Sequence, residues 1–214
     1  MEEKYKLLLE KFTGKDDLRL WMKTPFNCEN RTMCTDAQIL VSVPQIEGYA
    51  EPPGNKTKNV LNILSGAKEG HPVAYQTKNI RAILDKWEVV KTYKKEECDA
   101  CDGEGEVVYE FKYYGKTYMH EDECPICFGV RYTGTGEEDG TRLKHGTVKL
   151  HNSVFTINKI ADLLFILETL ESETFEIRNI VSNKPSYITI ENVVVLLMPT
   201  FSYNSDPYKA EVAL

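Results

Sequence analysis

The apolar residues near the two ends of the chain repeat at a fixed distance. Tyr5, Leu8, Leu9 and Phe12 form an i, i+3, i+4, i+7 stripe, and Ile160, Leu163, Leu164 and Leu167 form another, 155 positions later (160 − 5 = 155). Such spacing places each set on one face of a helix, and Thr156 is the expected N-cap of the second. The offset then continues without a gap. Leu20 and Met22 fall on Phe175 and Ile177, Met33 falls on Ile188, and "ILVSVP" at Ile39 to Pro44 falls on "VVLLMP" at Val194 to Pro199. Each half therefore reads helix, strand, strand, strand. Gapless agreement over this length favours a structural duplication over chance, and so an α+β domain built of two helix-plus-three-strand halves.

The stretch between the halves carries different chemistry. It contains "CDACDGEG" at Cys98 to Gly105 and "CPICFG" at Cys124 to Gly129. Cys98, Cys101, Cys124 and Cys127 thus form two C-x-x-C turns with 22 residues between them. Thiolates from two such turns can complete a tetrahedral four-cysteine shell around one structural Zn2+, and the interval is close to that of zinc ribbons. Gly103 and Gly129 follow the pairs, where glycine lets backbone amides approach the sulfurs. A redox pair would open a helix after a strand, and a disulfide pairing would need an oxidising compartment; zinc is favoured over both, which stay as the alternatives. Cys28 and Cys34 stand apart and read as small buried side chains. "EVVYEFKYYGKTYMHEDE" between the turns reads as a β-hairpin turning at Gly115-Lys116, with His120 on its surface rather than in a filled shell.

The first turn resembles the CxxCxGxG repeat of the zinc domain of DnaJ-type chaperones. The second turn keeps Gly129 but has Val130 and Arg131 where that pattern runs on to another glycine. Two repeats stand here rather than four, and no J-domain signature accompanies them, so the resemblance implies metal binding and not chaperone activity. From Cys98 to Gly140 there are eleven Asp or Glu against Lys112, Lys116 and Arg131, a balance of 3 − 11 = −8 within a chain of −7. That charge repels phosphate and turns the zinc module towards a protein partner.

Two helix-plus-three-strand halves around an insert resemble a domain of the DNA sliding clamps, the processivity clamps of replicative polymerases. "RTMCTDAQILVSVP" at Arg31 to Pro44 resembles that family's "ATDG..L" strand pair, with Ala37 in place of the usual glycine, and "VVVLLMPT" at Val193 to Thr200 resembles its terminal "MP" strand. The likeness covers roughly residues 1–50 and 145–201. It implies a non-enzymatic DNA-replication accessory protein of the kind a phage or mobile element encodes, several copies of which would be needed for a ring. It also implies helices that meet duplex DNA through phosphates without base readout. Lys4 and Lys11 on the first helix and Lys159 on the second are the candidate nucleic-acid contacts. The competing reading of all three is a solvated helix face.

The organisation expected is residues 1–95 as the first half with a helical connection, 96–140 as the zinc-binding hairpin insert, and 141–214 as the second half and tail. The connection holds a Pro/Gly-rich loop, "EGYAEPPGN", a helical run from Lys58 to Leu64, and a second run after Thr77 carrying Ile80, Ile83, Leu84 and Trp87. "EVVKTYKK" then reads as a strand. Gly-rich phosphate loops, nucleophile elbows and paired metal histidines are missing from the sequence, and Glu137-Glu138 reads as part of a solvated loop. No apolar run approaches the roughly 18 residues of a membrane span. With no secretory pattern at the N-terminus, a cytoplasmic protein is expected. The alternative to the clamp is a zinc-stabilised protein-interaction adaptor with no role on DNA.

Overall fold

The computed structural model describes residues 1–15, 19–178, 182–200 and 210–212. In chain order the elements are α1 (Glu2–Lys11), a 3-10 turn (Leu20–Met22), β1 (Phe26–Cys28), β2 (Arg31–Thr35), β3 (Ile39–Pro44), α2 (Lys56–Ala67), β4 (Val73–Gln76) and α3 (Thr77–Asp85). There follow β5 (Val89–Glu97), β6 (Glu106–Tyr113), β7 (Lys116–Glu123), β8 (Tyr132–Leu143), β9 (Thr147–Leu150), β10 (Ser153–Thr156) and α4 (Ile157–Thr169). Finally come β11 (Thr174–Arg178), β12 (Ser186–Ile190), β13 (Val193–Leu197) and β14 (Ala210–Glu211). The chain divides into two compact units, one of residues 1–87 and 145–214 and one of residues 88–144.

The first unit is organised on a seven-stranded sheet in the order β1-β2-β3-β13-β12-β11-β4. Its middle seam joins strands far apart in sequence: β3 and β13 run antiparallel, with Ile39 opposite Leu197 and Ser42 opposite Val194. Central strands are covered on both faces and so are buried at nearly every position, as in β3, whereas β12 and β11 alternate. Met33, Leu40 and Leu196 gather with Val60 and Ala67 of α2. The intervening Cys34, Val41 and Val195 are also fully buried, and α1 packs on β2 and β3. α1 meets α4 through Phe12 and Phe165, whose rings lie edge to face with centroids 6.3 Å apart. A smaller sheet, β10-β9-β14, completes the unit.

β2 and β12 begin 155 residues apart, as do α1 and α4. The agreement fails at Leu20 and Met22, which lie in the 3-10 turn while Phe175 and Ile177 lie in β11. β11 has neighbours on both sides, β12 and β4. The Leu20–Met22 segment instead folds back so that Gly14 N–H donates to Met22 O at 2.9 Å, burying Met22 and leaving Leu20 exposed. The place beside β2 that corresponds to that of β11 beside β12 is taken by β1, and among the described residues Leu20–Met22 pairs with no strand.

Cys28 and Cys34 are both fully buried. Desolvation raises both thiol pKa values, that of Cys34 strongly, which keeps them protonated and unreactive. Thr156 is the N-cap residue of α4, but its hydroxyl makes no capping hydrogen bond.

In the second unit β5 and β8 form a long antiparallel ribbon with irregular register near Tyr93. Glu137 and Glu138, expected in a loop, lie within β8, where they pair with Lys94 and Lys91 across the ribbon. β6 and β7 form the hairpin, closed by Tyr114 and Gly115 between the paired Tyr113 and Lys116. Both turn residues have positive φ, 48° and 69°, as a tight two-residue hairpin turn demands.

Candidate functional site

The four cysteines of the two turns converge. Their sulfurs all lie within 4.8 Å of one another and all four residues are buried, with Cys98 Sγ 3.8 Å from Cys124 Sγ and Cys101 Sγ 3.7 Å from Cys127 Sγ. A tetrahedron with metal–sulfur bonds of about 2.3 Å has edges of about 3.8 Å, so the cradle has the dimensions of a four-thiolate shell. A disulfide would bring two sulfurs to about 2.05 Å, and all six cysteines are free. Donor type, number and spacing therefore fit a single tetrahedral ion.

Each turn is locked by its own backbone and by the other turn. Cys101 N–H and Gly103 N–H both donate to Cys98 O, Phe128 N–H donates to Cys124 O, and Gly105 N–H reaches Cys101 Sγ at 3.3 Å. The two turns also exchange bonds: Cys98 N–H donates to Arg131 O and Cys124 N–H donates to Gly105 O, both at 2.9 Å. Gly103 and Gly129 share a φ of 75°, a left-handed conformation in which a side chain is strained. Hydrogen bonds from the Cys127 and Ile126 amides pull the Cys124 thiol down to about 7, while burial pushes Cys98 up to about 11. Amides aimed at sulfur favour thiolate, the form that binds metal.

His120 lies on β7 opposite Tyr109, outside this cluster. The hairpin around it is exposed on both faces.

The three candidate lysines have different surroundings. Lys4 pairs with Glu171 at 2.8 Å and Lys11 with Asp162 at 3.4 Å, both partly exposed; Lys11 also stands 4.5 Å from the Phe165 ring centroid. Lys159 is only 9% exposed, and its ammonium donates to Met198 O at 2.7 Å. Desolvation lowers its pKa. The lysine sits on the buried side of α4, beside Ile160 and Leu163, so it presents no free ammonium to a ligand.

A further feature of the first unit escaped the sequence reading. A cavity of about 340 Å³ is lined by Trp21, Met22, Ile39, Val60, Leu196 and Met198 among others. It draws on the 3-10 turn, β3, α2 and β13, so no single motif in the sequence marks it. Trp21 packs edge to face on Phe26, and its buried indole N–H has no hydrogen-bond partner among the described residues.

No family model and no curated protein matches the chain. Among solved structures it is similar to the DNA polymerase III beta sliding clamps. To the Caulobacter crescentus pol III beta it is 12% identical, over 92% of this chain and 65% of that one, with a TM-score of 0.42. To the Bacillus subtilis sliding clamp it is 11% identical, over 94% and 63%, with a TM-score of 0.46. To the Helicobacter pylori beta clamp, solved bound to a DNA ligase peptide, it is 10% identical, over 92% and 62%, with a TM-score of 0.43. The chain thus spans less than two thirds of the length of these clamps.

Proposed function

We propose that this protein is a non-enzymatic, sliding-clamp-like accessory protein of DNA replication, cytoplasmic, carrying one structural Zn2+ on an inserted hairpin unit. The observation that carries the reading is the seam between β3 and β13. It joins the segment Arg31 to Pro44 to the segment Val193 to Thr200, the two that resemble the clamp family, as central neighbours in one sheet. On this reading the unit of residues 1–87 and 145–214 supplies two equivalent halves around the seam, with α1 and α4 side by side, and the unit of residues 88–144 carries the zinc hairpin. The cavity beside Met198 is a seat for an apolar peptide of a tethered partner, whose backbone carbonyl would satisfy the Trp21 indole N–H. Duplex phosphates would lie against α1 through Lys4 and Lys11, and several copies would be needed to encircle DNA.

The zinc supplies cross-linking and no chemistry of reaction. Cys98, Cys101, Cys124 and Cys127 would hold it, closing two turns that bury little other apolar surface: among the described residues only Val107 packs against the cluster. A small unit of this kind lacks a hydrophobic core large enough to hold it together without such a staple.

A second reading, a zinc-stabilised adaptor without a DNA role, is favoured by the lysines. Lys4 and Lys11 are engaged in ion pairs and Lys159 is buried. Light scattering of the purified protein, together with duplex binding across a salt series, separates the two. A clamp assembles and binds any duplex weakly with a steep salt dependence; a monomer with no duplex affinity at low salt is the adaptor.

A further inference from the structure

The hairpin β6–β7 is a two-stranded sheet whose outer edges pair with no other described strand. Successive side chains on a strand point to opposite faces, and the register divides them into an aromatic face and an acidic one. One face carries Tyr109, Phe111 and Tyr113 from β6, with His120, Tyr118 and Lys116 opposite them in turn on β7, and Val107 and Asp122 at its base. The other carries Glu106, Val108, Glu110 and Lys112, with Glu123, Glu121, Met119 and Thr117 opposite them in turn, four acids against one lysine. The aromatic face is open to solvent: Tyr109, Phe111, Tyr113 and Tyr118 are 44%, 52%, 62% and 42% exposed. Phe111 and Tyr118 stack with centroids 5.4 Å apart and planes 14° from parallel.

A contiguous aromatic surface of this kind is a place where another molecule binds. Strand addition to an unpaired edge is the mode the backbone offers, since it supplies main-chain hydrogen bonds while alternate side chains set specificity. A strand laid beside this hairpin would turn its own side chains alternately towards the aromatic face and towards the acidic face. Over Glu106 to Glu123 the charge is two lysines against five acids, 2 − 5 = −3, so the acidic side attracts cations. A single-stranded nucleic acid, which also stacks on aromatic rings, would need a positive groove for its phosphates.

We infer that the hairpin is a docking edge for an extended, basic segment of a partner protein in which Lys or Arg alternates with apolar residues. The inference rests on the proposed protein-facing role of the zinc unit. The apolar residues pack on Tyr109, Phe111 and Tyr118, and the cations meet Glu106, Glu110 and Glu121.

The probe is a fluorescein-labelled heptapeptide of alternating arginine and valine, titrated with the full-length protein by anisotropy. Saturable binding is expected, weakened about tenfold or more by Phe111→Ser, Tyr118→Ser and the pair Glu110→Lys, Glu121→Lys. All three changes are at exposed positions, so each variant should keep the zinc content of the wild type. An alternating glutamate–valine peptide should not bind. Unchanged affinity in the variants, or equal binding of an arginine–serine peptide, overturns the inference, because the aromatic face would then play no part. Concentration-dependent self-association abolished by Phe111→Ser would overturn it in favour of a second copy of this chain. Single-stranded DNA binding lost in the same variant would overturn it in favour of nucleic acid. Peptide binding by wild-type protein that holds no zinc would instead sink the zinc reading and leave the docking edge standing.

Discussion

Arg131 stands where the chain has used glycine once already. Gly105 and Arg131 lie 26 residues apart, the same interval that separates Cys98 from Cys124 and Cys101 from Cys127. Both adopt left-handed backbone conformations, with φ of 83° and 70°. Each gives its carbonyl to the amide of the first cysteine in the other turn. The two turns are thus copies in backbone terms, but one carries a side chain at a position where L residues are strained.

Arg131→Gly should therefore stabilise the cysteine unit by about 1 kcal/mol. Competition against a zinc chelator, run on wild type and variant, measures it as tighter metal retention. The reverse change is worse than strain alone: a Cβ at Gly105 would sit 2.8 Å from Gly129 O and 3.0 Å from Arg131 Cγ. Gly105→Ala should accordingly release zinc at lower chelator concentration than wild type.

Purified protein should contain one zinc per chain by elemental analysis, and Cys101→Ser should lower that content sharply. Because structural zinc contributes on the order of 10 kcal/mol to the folding of such turns, the variant should also lose amide-exchange protection at Cys98, Gly103 and Cys124. Protection in β3 and β13, which belong to the other compact unit, should be retained. Loss of protection in both places would mean that the metal supports the whole chain.

If duplex DNA is bound, Lys4→Ala and Lys11→Ala should each weaken affinity for all sequences alike and reduce the salt slope by about one. Lys159→Met should leave both quantities unchanged, since its ammonium is spent on Met198 O. A loss of affinity in Lys159→Met matching that of Lys4→Ala would show that α4 turns this residue outward on DNA.

Burial raises the pKa of Asp162, and Lys11 beside it opposes the shift. A carboxyl raised in the folded state binds more protons folded than unfolded, so its contribution to stability falls as pH rises from its ordinary value of 3.8 through its folded value. Asp162→Asn should remove that slope. Urea unfolding at roughly pH 4 and pH 7 should show the variant gaining more than wild type over the interval, and equal changes in both would mean that the carboxylate is not held at a cost.

The metal cradle was legible because C-x-x-C spacing is a local constraint that survives any surrounding fold. So was the hairpin, whose apolar alternation is local as well, although its turn falls at Tyr114-Gly115, one residue before the expected Gly115-Lys116, because Lys116 pairs with Tyr113. The ribbon was not: Gly134, Gly136, Gly140 and the run Glu137 to Asp139 read as loop, and it is the backbone pairing with β5 that makes β8 a strand, with Lys91 and Lys94 reaching Glu138 and Glu137 across it. A second recurrence was also hidden. β4 and α3 are followed 80 residues later by β10 and α4 (73 to 153), with Ile80, Ile83 and Leu84 matching Ile160, Leu163 and Leu164. The stripes were visible, but β4 is four residues long and carries too little pattern to mark the unit's start. The apolar cavity was beyond reach for another reason, since its lining comes from segments that only the sheet brings together.

The seam between β3 and β13 also sets an order of events during synthesis. Ile39 must wait for Leu197, so the first strands emerge from the ribosome long before the partner that will cover them exists. Non-local pairings of this span close slowly, because the loop entropy is lost before any contact compensates for it. The segment from Glu88 to Lys144 is continuous and compact in itself, and it is complete while β13 is still untranslated. Nascent chains should therefore acquire the cysteine unit first, and the exposed strands Arg31–Thr35 and Ile39–Pro44 are the stretch a chaperone would have to shield in the meantime.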